Sequence, residues 1–142
     1  MAVDVDVVTD RATLSKGAQG AITGVVAIRL GDVCFPESRW NDFIVVVLGW
    51  WARQAAALLA GDPARLDFMD GPYSVVARPV DGVSRLECLR GTGNEATVLE
   101  TRDVPTSDLV AAIMRASRET LALCEQNGWK SSDTETLREW TR

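Results

Sequence analysis

The run WNDFIVVVLGWWARQAAALLA, from Trp40 to Ala60, constrains this chain more than any other stretch, because nothing else in it is as long, as apolar and as free of breakers. Its large side chains Phe43, Val47, Trp50, Trp51 and Leu58 recur at the three-or-four spacing of one helical face, while Gly49, Ala52, Ala56 and Ala60 line the other. The β-branched residues 44–47 alone would suit a buried strand. A strand, however, ends after ~5 to 6 residues, and this stretch runs on through Arg53 and Gln54 into an Ala-Leu segment that favours helix. Its uninterrupted apolar part, residues 43–52, is also far below the ~20 residues that cross a bilayer. The expectation is a central core helix, capped at Ser38 or Asn41 and stopped by Gly61-Asp62-Pro63. Adjacent Trp50 and Trp51 point in different directions, so one of them is expected at the helix margin, where an exposed indole is a candidate interface anchor.

Strands are expected on both sides of that helix. Val3, Val5 and Val7 alternate with Asp4 and Asp6, the period of a strand with one wet face. A polar turn at Ser15–Gly20 then separates it from a more apolar strand over 21–30, giving an opening antiparallel pair. After the helix, Asp70-Gly71, Asp81-Gly82 and the Gly91–Asn94 turn punctuate four β-like runs that end near Arg102. Pro105-Thr106-Ser107-Asp108 opens a helix running to Asn127-Gly128, and a Ser132-x-x-Glu135 capping box opens a short last one. The order ββαββββαα reads as one α+β domain over residues 1–142: an antiparallel sheet of about six strands, one central helix and a C-terminal helix pair.

Composition narrows function by exclusion. With no histidine, the chain has no Ser-His-Asp or Cys-His relay and no His-ligated metal. Cys34, Cys88 and Cys124 are widely spaced and odd in number, which suggests neither disulfides nor a zinc site and points to buried thiols in a reducing cytoplasm. The opening MAVDVDVV carries no secretory signal pattern, a further reason to expect a cytoplasmic protein. A net charge of −5 argues against direct nucleic-acid binding, which needs a basic patch, and allows a basic partner. No cofactor and no membrane association are implied.

Glu37, Asp42, Asp67 and Asp70 are the carboxylates grouped around the start of the central helix and the first hairpin. Paired acids can hold a divalent metal or share acid and base roles. Yet Asp70 sits where an Asp-Gly turn favours aspartate, and Asp42 falls in a first helical turn where the dipole favours an anion.

Residues 30–80 carry Phe35-Pro36-x-x-x-Trp40-x-Asp42-Phe43, then Trp50, then Phe68-x-Asp70-Gly71-Pro72-Tyr73. This pattern resembles that of small bacterial immunity proteins from polymorphic-toxin and contact-dependent inhibition systems. The resemblance implies a non-enzymatic cytoplasmic protein that binds one cognate toxin domain and blocks it. The candidate contact set is then Glu37, Asp42, Asp67 and Asp70 for charge, with Trp40 and Tyr73 beside them. An acidic, compact chain suits that task, since many toxin domains attack nucleic acid and present basic clefts. Two other readings remain open: a small-molecule-binding or oligomeric scaffold domain using the concave side of the sheet, and a metal-dependent hydrolase in which Asp42, Asp67 or Asp70 converge within ~6 Å.

Overall fold

The computed structural model describes residues 1–142 as two four-stranded antiparallel sheets and three α-helices. The first sheet pairs β1 (Val5–Lys16) with β2 (Ile22–Leu30), and the other edge of β2 is filled by β3 (Val33–Phe35) and β4 (Asn41–Asp42). The second sheet is the expected meander: β5 (Ala64–Asp67), β6 (Tyr73–Val80), β7 (Val83–Arg90) and β8 (Thr97–Pro105). Between the sheets in sequence lies α1 (Ile44–Leu59), and α2 (Thr106–Gln126) and α3 (Ser132–Trp140) close the chain.

The expected single sheet of about six strands is therefore two sheets, for a local reason. The segment leading into α1 folds back on β2 twice, as β3 at Ile28–Leu30 and as β4 at Gly24 and Val25, so that edge has no room for the meander. The sheets meet instead at the far side, where Val3 N–H donates to the Asp103 carbonyl of β8 at 2.8 Å. One continuous core joins them, with Val26, Ile28 and Leu30 from the first sheet and Leu66, Val75, Ala77 and Leu86 from the second, all packed with Val47, Leu48 and Trp51 of α1.

The central helix starts later than expected and without a side-chain cap, since Phe43 takes the N-cap position rather than Ser38 or Asn41. Its end follows the sequence. Gly61, at φ +85°, lets its own N–H reach Leu58 O and that of Asp62 reach Ala57 O, which satisfies carbonyls the last turn would leave open. Helix α2 stops the same way, through Gly128 to Glu125 O and Trp129 to Cys124 O. For α3 the capping box lies one residue earlier than expected, between Ser131 and Thr134. Along α1 the buried set includes Ile44, Val45, Gly49, Ala52 and Ala55, whereas Ala56 and Ala60, expected on a covered face, are exposed.

Both edges of the second sheet are blunted. On β5, Gln54 Oε1 accepts from Arg65 N–H at 3.0 Å and Trp51 Nε1 donates to Asp67 O at 2.8 Å, so α1 side chains occupy the free backbone groups. On β8, the ion-paired Glu100 and Arg102 stand opposite buried Cys88 and Leu86, on the inward face. Inward charges on an edge strand discourage pairing with another chain.

Candidate functional site

The hairpin joining β5 to β6 meets the start of α1, and this junction gathers five of the six sequence candidates. Asp42, only 2% exposed, is its centre. Its Oδ1 accepts from Phe43 N–H at 2.7 Å and its Oδ2 from Trp40 Nε1 at 3.0 Å. Met69 N–H reaches Oδ2 at 3.2 Å, and Asp70 N–H is shared between the two oxygens at 3.1 and 3.2 Å. A buried carboxylate is tolerable only when donors surround it in this way. One side chain thus fixes the first turn of α1, the Trp40 indole and the hairpin of the other sheet.

Aromatic rings close the junction. Trp40 and Tyr73 meet edge to face with centroids 5.2 Å apart, and Phe35 lies 5.7 Å from Tyr73 and 5.9 Å from Phe68. Trp51 meets Phe68 at 5.1 Å. Each such pair contributes about 0.5 to 1.5 kcal/mol beyond its buried area. Gly71 is required between them. It has φ +80°, and a Cβ there would stand 3.1 Å from Trp40 Cη2 and 3.2 Å from Tyr73 Cδ2.

Of the expected contact set, Asp42 is thus enclosed by the fold and has no surface to offer a partner. Trp40 and Tyr73 are half-buried in the aromatic cluster. Asp67 is on the surface but ion-paired with Arg65 at 2.7 Å, whereas Asp70 and Glu37 are exposed and take part in no ion pair. The convergence of Asp42, Asp67 and Asp70 that a metal-dependent hydrolase needs is replaced by N–H donors around Asp42. No three Asp, Glu or Cys side chains gather closely enough to share a cation.

The exposed side of the junction contains residues that sequence reasoning placed less well. Trp50, 41% exposed, is the indole that leaves the helix face, and Met69 beside it is 49% exposed. They rim a depression of about 290 Å³ lined also by Arg65, Asp67, Pro72 and Tyr73. Met69 also borders a neighbouring hollow of about 170 Å³ with Phe43, Val46 and Asp133. The signal for Trp50 lay in the Trp50-Trp51 pair. Met69 had none, since an isolated methionine beside a turn carries no pattern.

Elsewhere the thiols differ from expectation in one respect: Cys88 and Cys124 are buried, but Cys34 is partly exposed. Burial, with Glu100 nearby, pushes the Cys88 thiol up to about 12, and burial likewise raises Cys124, so both are poor nucleophiles. Among the helices, none is long and apolar enough to cross a membrane. Comparison of the chain with protein-family models, with curated proteins and with solved structures finds no match.

Proposed function

We propose that this protein is an immunity protein that binds a cognate bacterial toxin domain and neutralises it by non-covalent occlusion. The observation that carries the reading is the Trp50–Met69 ledge: two large apolar side chains held in solvent beside a hairpin whose backbone is tied to buried Asp42. An indole anchor whose backbone is already fixed loses little entropy on docking, which is the economy of an interface hot spot. Its surroundings favour a basic partner, because Asp70 and Asp133 beside the ledge are exposed and enter no ion pair. Trp40 and Tyr73 act here from behind, holding the hairpin that presents Met69, Asp70 and Pro72.

The test is to co-express the chain with the C-terminal domain of a large secreted protein encoded immediately upstream of it. A complex of nanomolar affinity that abolishes the domain's toxicity is expected. Trp50→Ala is expected to weaken it by about thirtyfold or more, the equivalent of ~2 kcal/mol for a hot spot, with the circular dichroism spectrum unchanged. Failure to bind any neighbouring toxin domain overturns the reading, and undiminished binding by Trp50→Ala with Met69→Ala moves the interface elsewhere.

A further inference from the structure

A second recess lies along the outer edge of β1. Register is regular from Val5 opposite Leu30 to Asp10 opposite Val25, and it resumes at Ser15 opposite Thr23. Four residues, Arg11 to Leu14, therefore stand against Gly24 alone, and the strand bows out of its ladder. The bow is pinned from inside: the Thr13 hydroxyl donates to Asp10 O at 2.6 Å and accepts from Val25 N–H at 2.9 Å, while Asp10 Oδ1 accepts from Ala12 N–H at 3.0 Å. Bulges of this kind characteristically re-aim side chains at the rim of a sheet.

Between the bow and the second half of α2 are two hollows, of about 380 and 580 Å³, that share Arg11, Leu14, Leu123 and Gln126 and so form one groove. Its lining is mixed: buried Ile44 and half-buried Leu14 and Leu123 give the smaller hollow an apolar part, and half-buried Trp129 joins Leu14 and Leu123 in the larger, mainly polar one. Its charges are lopsided. Asp10 is held by Arg39 at 2.9 Å, and Glu119 is paired with Arg115 at 3.6 Å. Arg11 and Lys16 enter no ion pair, and the larger hollow contains both of them and no carboxylate. In a chain of net charge −5, two uncompensated cations on one groove are the reverse of the average surface.

We propose that this groove binds a small anionic amphiphile, a carboxylate, sulfonate or phosphate monoester with an apolar or aromatic body. The body lies over Leu14, Leu123 and Trp129, and the anionic head is held by Arg11 and Lys16. Complementary charge at the rim orients such a ligand, and burial of its body against these side chains provides the affinity. The inference is independent of toxin binding, since none of these residues belongs to the Trp50–Met69 ledge.

The test uses 8-anilinonaphthalene-1-sulfonate as probe on the native protein, with its neutral analogue N-phenyl-1-naphthylamine and with decanoate as competitor. Saturable one-to-one binding of the sulfonate is expected, displaced by decanoate and unaffected by Trp50→Ala. Arg11→Glu combined with Lys16→Glu is expected to raise the dissociation constant at least about tenfold; both residues are exposed, so the fold should be retained, as thermal melting will check. Equal affinity for the neutral analogue, or equal binding by the charge-reversed variant, overturns the anion site. Displacement by an oligoglutamate peptide at lower concentration than decanoate overturns the small-molecule occupant in favour of an acidic chain.

Discussion

The junction around Asp42 and the groove beside β1 are both irregular places where a strand departs from its ladder, yet they dispose of polar groups in opposite ways. At the junction every oxygen of a buried carboxylate is met by N–H groups of the same chain, and the rings pack edge to face around it. At the groove the backbone irregularity is satisfied by Thr13 and Asp10, but two cations are left facing solvent. The dense motif, Phe-Pro to Asp-Gly-Pro-Tyr, is where the fold closes on itself. The two binding surfaces we propose lie beside it, on the ledge, and away from it, in the groove.

The largest test of this contrast is Asp42→Ala. Met69 N–H, Asp70 N–H and the Trp40 indole would all lose their acceptor. An unsatisfied buried donor costs ~1 to 3 kcal/mol, so a loss of at least about 3 kcal/mol is expected against a net stability of ~5 to 15 kcal/mol. A fall in melting temperature of roughly 10 °C or more should follow. Asp42→Asn, which keeps one acceptor oxygen, should fall between. If Asp42→Ala melts like the parent, the junction is not the brace described.

Next comes a pair of glycines that differ in surroundings rather than in backbone. Gly71 and Gly82 share almost the same φ, +80° and +82°, but a Cβ on Gly82 meets nothing within 4 Å, whereas one on Gly71 meets Trp40 and Tyr73. Gly82→Ala should cost only the left-handed penalty, ~1 to 2 kcal/mol. Gly71→Ala should cost that and a further ~1 kcal/mol or more of overpacking, and guanidinium unfolding of the two variants measures the difference. Equal costs would mean that the rings give way freely.

Much of this was legible in the residues themselves, and the misses have physical reasons. Helix α1 stood out by length and periodicity, and its end at Gly61 by the need for a left-handed residue. The β6–β7 turn was written in Asp81-Gly82, both at positive φ. The division into two sheets was not legible, because it depends on β3 and β4, of three and two residues, too short to show any period. Nor was the burial of Asp42: an aspartate ahead of a helix looks the same whether it faces water or four donors, two of them brought from the hairpin of the other sheet. Trp40-x-Asp42 was readable as a spacing, but the bond between its side chains was not.

At the groove, Thr13→Val keeps the shape of the side chain and removes its oxygen. Val25 N–H, on a residue 2% exposed, then loses its acceptor. A loss of ~1 to 2 kcal/mol is expected, clearly smaller than for Asp42→Ala. The same variant should increase hydrogen exchange at Val25 and Ala12 and weaken binding of the naphthalene sulfonate. If stability drops while probe binding stays intact, the bow is a structural feature and does not shape the groove.

The smallest effect expected is of pH, and it separates the two regions by how they hold an aspartate. Asp10 lies below the ordinary aspartate value of 3.8, first because Arg39 hydrogen-bonds to it and then because Ala12 N–H does. A carboxyl depressed in the folded chain stabilises it above the unfolded value, and that contribution is lost as pH falls from there through the lower folded value. The bow should therefore loosen only below about pH 4, visible as faster exchange of the Ala12 amide while the core amides of β2 remain protected. Asp10 is at the surface, so the effect should shrink in high salt. Arg39→Gln should move the transition upward in pH, towards that of a free aspartate. An Ala12 amide equally protected on both sides of that window, or a transition that Arg39→Gln leaves in place, would show that the bow is held by the Thr13 hydroxyl alone.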